Sequence, residues 1–253
     1  MSGRGRTVWF IAGGLLLAGV LAVGVVLFAF RDTATSVDEE DISLTVVTGA
    51  GEPGDYGVYS YATTGYETTD ALAGGRHDYP ATTYLTVQPG GCGELVRWQP
   101  LEERYEEWDF CTDGTMRAFT SFHEWFRVAN TDVWQCPAPA PVQGEAGASW
   151  STECTRAGGE ETGQAAKTLA YEVVGLETVT IGTEPVEALH VRISGVERGA
   201  TRGTSLSDMW FLPGTNLPVR WVEQRDTTSD SRIGEVSYSE HFEAVLTSLR
   251  PGA

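Results

Sequence analysis

The chain has almost no lysine: one, Lys167, stands against 16 arginines, a skew we read as base composition and not as function. Its four histidines, His77, His123, His190 and His241, fall in no H-E-x-x-H spacing, and its cysteines in no C-x2-C pair, so no zinc motif is present. No G-x-S-x-G elbow, P-loop or G-x-G-x-x-G turn occurs either, which excludes hydrolases, NTPases and dinucleotide enzymes that carry those motifs. Beyond residue 31 no apolar run of helical period exceeds a turn or two, so a helical bundle is excluded as well.

One long apolar run is present. Val8 to Phe30 carries no charge, and its 23 residues reach roughly 35 Å as a helix, enough to cross a ~30 Å hydrocarbon core. Arg4 and Arg6 precede it; Arg31 and the acidic group Asp38, Glu39, Glu40, Asp41 follow. The positive-inside bias therefore predicts a cytoplasmic stretch at 1–7, a transmembrane signal anchor at 8–30 and an extracytoplasmic remainder. The run is longer than a signal-peptide core, and no small-x-small cleavage site follows it.

Taking Arg4, Arg6 and Arg31 from the 17 basic residues leaves 14 against 35 acidic ones, a net charge of −21 on the exported part. Such a surface repels nucleic acid and anionic headgroups, so nucleic acid is not an expected partner. Residues 31–55 read as an acidic tether. From Tyr56 onward, Val-, Thr- and aromatic-rich runs alternate with Gly, Pro and Asp punctuation, the texture of β-strands. We place a first β meander at 56–127 and a second at 168–250. Between them, 128–167 reads as a disulfide-stapled linker, since Pro137, Pro139 and Pro141 interrupt it, with a loose hairpin of 131–136 with 149–155 as the structure it could hold. In an oxidising compartment Cys92, Cys111, Cys136 and Cys154 are expected to form disulfides, and their spacing favours the local pairs Cys92–Cys111 and Cys136–Cys154.

The two meanders echo one another. Tyr61-x3-Gly65-x-Glu67-Thr68 matches Tyr171-x3-Gly175-x-Glu177-Thr178, and His123-Glu124 near the end of one block is answered by His241-Phe242-Glu243 in the other. The expected fold is mainly β: a curved antiparallel sheet or half-barrel of about ten strands, built from two five-stranded units and preceded by one transmembrane helix. Gly65 and Gly175 would mark equivalent bends, and His123 with His241 could meet near a pseudo-twofold axis.

The C-terminal block joins an apolar strand, a Glu184-Pro185-Val186 turn, Ala188-Leu-His-Val191, and a step Trp210-Phe-Leu-Pro213-Gly-Thr-Asn-Leu-Pro218-Val-Arg220 leading into the closing strands. This order resembles the C-terminal strands of the LolA/LppX-like lipoprotein-carrier superfamily over roughly 80 residues. The whole chain also looks like membrane-anchored extracytoplasmic proteins of actinobacteria. The carrier resemblance implies an open half-barrel whose concave face holds acyl chains, and it carries over no catalytic residue.

Paired carboxylates such as Asp208 with Glu223, or Glu102-Glu103 with Glu106-Glu107, are read as solvated faces among 35 acidic residues. Of the exported tryptophans, most are expected in the core, with Trp98, Trp125, Trp210 and Trp221 as candidates to line a ligand groove. The expected function is non-enzymatic: a membrane-anchored, extracytoplasmic β-domain binding an apolar or lipid-like ligand, without cofactor or metal. The alternative is a cell-envelope interaction module that recruits a protein through its acidic face. An envelope hydrolase would need a histidine, a carboxylate and a nucleophile to converge in space.

Overall fold

A computed structural model of the chain describes residues 32–42, 54–72, 74–139, 141, 144–157, 165–231 and 234–252. The anchor expected at 8–30 lies outside these residues. Among the described residues no helix is long and apolar enough to cross a membrane.

The strands are β1 (Gly57–Thr69), β2 (Gly75–Asp78), β3 (Thr82–Pro89), β4 (Gly93–Leu101), β5 (Arg104–Cys111), β6 (Thr115–Trp125) and β7 (Val128–Pro139), then β8 (Ser149–Ala157), β9 (Ala165–Ile181), β10 (Glu184–Gly199), β11 (Thr201–Phe211), β12 (Pro218–Ser231) and β13 (Gly234–Leu246). From β3 to β13 each pairs antiparallel with the next, and β1 pairs with both β3 and β13. The sheet is a closed twelve-strand barrel. The extra strand β2 extends β3: Tyr66 faces Asp78 and Ala62 faces Thr82, one unbroken register along β1. Pro80 lies at the break, where it has no N–H to offer a ladder.

Closure corrects the expected half-barrel of about ten strands. Nine residue pairs, from Tyr61–Leu246 to Thr69–Tyr238, join the first and last staves. Sealing that seam satisfies two rows of backbone groups that an open sheet would leave as unpaired edges. The stretch read as a linker also differs, because β7 and β8 are staves of the wall.

Among the described residues their seam is the narrowest of the barrel wall: Val133, Trp134 and Gln135 pair with Ala157, Arg156 and Thr155. Cys136 and Cys154 come next in the same register and are disulfide-bonded. The carbonyl of Pro137 accepts a hydrogen bond from Thr152 on β8, so the N–H that proline lacks faces this seam too. A covalent link, worth about 3 kcal/mol by loop closure, stands where the ladder stops. The second disulfide, Cys92–Cys111, pins the β4–β5 hairpin at one end of the barrel. We call this the Cys92 end and the opposite rim, where Asp32 is fastened, the Asp32 end.

Gly65 and Gly175 both hold positive φ (145° and 142°), yet only one marks a bulge. On β9 the register slips, with Val173 opposite Val191 and Gly175 opposite His190. On β1 it does not; there Gly65 is required because an added Cβ would lie 2.3 Å from the carbonyl oxygen of His241.

Candidate functional site

Alternation along the staves sends every second side chain into the lumen. Following β5 from the Asp32 end, those positions are Arg104, Glu106, Trp108 and Phe110. On β12 they are Arg225, Glu223, Trp221 and Val219, and on β13 Tyr238, Glu240, Phe242, Ala244 and Leu246. Each stave is charged near the Asp32 end and apolar towards the Cys92 end, so the lumen is layered along its axis.

The apolar half is tightly filled. Trp98 is fully buried, stacks on Phe242 (ring centroids 4.4 Å apart) and meets Trp221 edge-on at 5.1 Å; Trp221 in turn meets Trp108 at 5.2 Å. Such aromatic contacts add ~1 kcal/mol each beyond area burial.

The polar half is a buried ion network. The Arg104 guanidinium forks onto Glu240 (Nε–Oε1 3.1 Å, Nη2–Oε2 3.0 Å) and also donates to Glu106. Arg225 donates to Glu106 (3.0 Å) and lies 3.4 Å from Glu223, while Lys167 pairs with Glu197 at 3.0 Å. Glu67 accepts from Tyr238 (2.8 Å) and bridges two histidines, His77 Nδ1 at 2.9 Å and His123 Nδ1 at 3.1 Å. His77 stacks on Trp125 and reaches Asp32 through Nε2 at 3.2 Å.

Burial alone would raise all these carboxyls, but the neighbours decide each outcome. For Glu67 the two histidines and Arg104 overcome desolvation and hold the group well below the usual carboxylate range. Arg104 and Arg225 do the same for Glu106. For Glu223 desolvation wins over Arg225 and Ser207, helped by Glu240 and Glu106, and the group is pushed up to about 7.

Two cavities flank this layer. Nearer the Cys92 end is a chamber of about 60 Å³, counted as space open to the centre of a water molecule. Its wall includes Met116, Phe119, Leu169, Met209 and Trp221, its floor Glu106, Glu223, Arg225 and Lys167, and its lip Pro141 and Asn216. Both methionines beyond the initiator line it. On the Asp32 side a cavity of about 210 Å³ is lined by Ser121, His123, Trp125, Val128 and Tyr238 among others. Phe119, Lys167 and Arg225 border both and form the partition. At the floor of the chamber Glu106 Oε2, Glu223 Oε1 and Arg225 Nε, and at its lip Asn216 Oδ1, have no hydrogen-bond partner in the protein although buried.

The four groove candidates do not come together. Trp221 lines the chamber, and Trp98 lies behind it in the packed core. Trp125 borders the cavity at the Asp32 end. Trp210 faces outward, because its neighbour Met209 lines the chamber; its ring stacks on His190 at 4.2 Å and its indole donates to Glu177. His123 points inward to Glu67, whereas His241 alternates outward beside Tyr66, so the two histidines do not meet. The carboxylates read as solvated include two, Glu106 and Glu223, that are fully buried. A sequence signal for them existed: Glu106-x-Trp108, Trp221-x-Glu223 and Glu240-x-Phe242 each put a carboxylate on the face of a core aromatic.

One serine–histidine–carboxylate line occurs among the described residues, with Ser121 Oγ 2.9 Å from His123 Nε2 and His123 on Glu67. Its hydroxyl is shared with Glu106 Oε1 at 3.3 Å; the serine is buried, and Ser121 and His123 both line the cavity on the Asp32 side. No group of three or more His, Cys, Asp or Glu among the described residues is set to hold a metal ion.

No protein-family model matches the chain. No curated protein matches it either. Among solved structures, a proposed lipoprotein from Parabacteroides distasonis is similar at 14% identity over 80% of this chain and 99% of the other, with a TM-score of 0.31, too low to carry over a fold or a role.

Proposed function

We propose that the protein is a non-enzymatic, membrane-anchored extracytoplasmic barrel that binds one end of a small amphipathic molecule in the chamber above the ion network. The observation that carries this reading is the set of unpartnered buried atoms on the chamber floor: Glu106 Oε2 and Glu223 Oε1, carboxyl oxygens, and Arg225 Nε, a donor. A hydroxyl or amide suits such a mixed set, since it donates to a carboxylate oxygen and accepts from the guanidinium. A neutral head fits better than a carboxylate: placing another negative charge beside Glu106, Glu223 and Glu240 in a low-dielectric layer is costly. Above that head, Met116, Met209, Phe119, Leu169 and Trp221 offer an apolar wall, and methionine adapts readily to the shape it meets. About 60 Å³ is room for a compact apolar group, not for a whole acyl chain. The extracytoplasmic placement rests on the apolar run Val8 to Phe30 and on two disulfides, which persist in oxidising compartments.

Native mass spectrometry of residues 32–253, secreted under oxidising conditions, tests the reading. We expect a small adduct that organic extraction releases and that Met209→Trp, which fills the chamber, excludes. A bare protein mass, unchanged after incubation with envelope lipids, would contradict it. That result would favour the second reading, a protein-interaction module, for which exposed Val174, Leu176 and Leu206 on the wall supply apolar contact points.

A further inference from the structure

The segment after the apolar run is fixed to one rim of the barrel. Asp32 Oδ1 accepts from the backbone N–H of Phe126 at 3.1 Å, and its Oδ2 lies 3.2 Å from His77 Nε2. It is wedged between two hairpins: a Cβ added at Gly75 would lie 2.5 Å from Asp32 and 2.7 Å from Trp125. The next residues extend the hold. Thr33 and Thr35 both donate to Glu103, Glu102 donates its N–H to the Thr35 carbonyl at 2.9 Å, and Ser36 bridges to Leu101.

Only Arg31 separates this clamp from Phe30, the last residue of the apolar run. Two residue steps of fully extended chain span about 7 Å, so the rim cannot stand far from where that run ends. The two hairpins that grip Asp32 also carry the two most exposed large apolar side chains among the described residues. Leu72, in the β1–β2 turn, and Val128, just after the Phe126-Arg127 turn, are each 62% exposed.

We propose that the Asp32 rim is a membrane-apposed face. Leu72 and Val128 rest among the headgroups of the leaflet from which the chain emerges, and the barrel stands on end with the Cys92 end, and the lip of the chamber, turned away from the bilayer. This rests on the reading of Val8 to Phe30 as a transmembrane anchor. The occupant is a lipid surface because the chain itself delivers that surface to the rim. Charge does not recruit it: Asp70, Glu102, Glu124, Asp230 and Glu235 near this rim are met by Arg76, Arg127, Arg198 and Arg202, so these groups give no net positive charge to attract anionic lipid. A short tether makes attraction unnecessary, since it supplies a high effective concentration. The cavity holding His123, Tyr238 and Trp125 therefore opens over the headgroups, whereas the chamber lip at Pro141 and Asn216 faces the aqueous side.

The test uses the full chain in vesicles of phosphatidylcholine with one part in five phosphatidylglycerol. All four native cysteines are in disulfides, so single thiols at Leu72→Cys, Val128→Cys, Thr183→Cys and Ser248→Cys accept a fluorophore uniquely. All four sites are exposed, so folding should tolerate them. With headgroup-nitroxide lipid in the bilayer, the labels at 72 and 128 should lose at least about half their emission, while those at 183 and 248, at the other end, stay unquenched. Alkaline carbonate extraction of the same vesicles separates two failures. Retention of the chain with unquenched rim labels overturns the apposition alone. Release of the chain overturns the anchor and, with it, this inference.

Discussion

Two halves of one lumen are built on the same staves and obey different physics. On β13, Phe242, Ala244 and Leu246 face the Cys92 end, while Glu240 and Tyr238, one and two pleats further along, face the Asp32 end. The apolar half holds together by area and shape, through Trp98, Trp221 and Phe242. The ionic half does not gain stability over an apolar replacement of equal volume, because desolvating charges costs about what pairing returns. Its value lies in what it fixes: a floor of directed donors and acceptors beneath a chamber of soft side chains.

The comparison breaks most visibly at Arg104. It is fully buried and answers Glu106, Glu240 and, at 3.6 Å, Glu67. Arg104→Met should cost about 3–5 kcal/mol in urea unfolding at pH 7, because it strands buried carboxylates. The double variant Arg104→Met with Glu240→Gln should recover part of that loss. A single variant within about 1 kcal/mol of the parent would mean that the carboxylates are not held by this guanidinium.

A smaller effect separates carboxylates within the ionic half by sign. Glu67 and Glu106 are depressed in the folded state, so their contribution is present above about 4.5 and lost as the pH falls below it. Glu223 is raised to about 7, so its contribution is full below about 4.5 and fades as the pH rises through 7. From these three groups stability should therefore peak at about pH 4.5 and decline towards pH 7. Glu223→Gln removes only the second trend: relative to the parent, its urea midpoint should rise from pH 5 to pH 8. A parallel pH profile for the two proteins would place the titration elsewhere.

How much of this was legible in the sequence follows from what each signal depends on. Strand texture depends on local alternation, and β1 to β6 fall within the first meander expected at 56–127 and β10 to β13 within the second at 168–250. The pairing Cys92–Cys111 was open to the same reading, because both residues belong to one hairpin. Staves β7 and β8 were legible only as a loose hairpin within a linker, because Pro137 and Pro139 border a seam that is closed by a disulfide where its short ladder stops. The shared Tyr-x3-Gly-x-Glu-Thr was visible, but not its divergence. The slip at Val173–Gly175 leaves Glu177 on the outer face with His190 and Trp210, while Glu67, with no slip, enters the lumen. A one-residue register shift exchanges the two faces of a strand, and nothing within six residues announces it. Closure itself was illegible for a simpler reason: it depends on the pairing of β1 with β13, the first and last strands of the wall.

The chamber is where the two halves meet, and calorimetric titration of residues 32–253 with straight-chain primary alcohols at pH 7 tests it most directly. Affinity should climb about fourfold per added methylene until the chamber is full, then stop. The matching carboxylates should bind at least about tenfold more weakly, and Met209→Trp should abolish both. Carboxylates binding as tightly as alcohols, or binding indifferent to Met209→Trp, would contradict the account of an apolar chamber set on a charged, neutral-seeking floor.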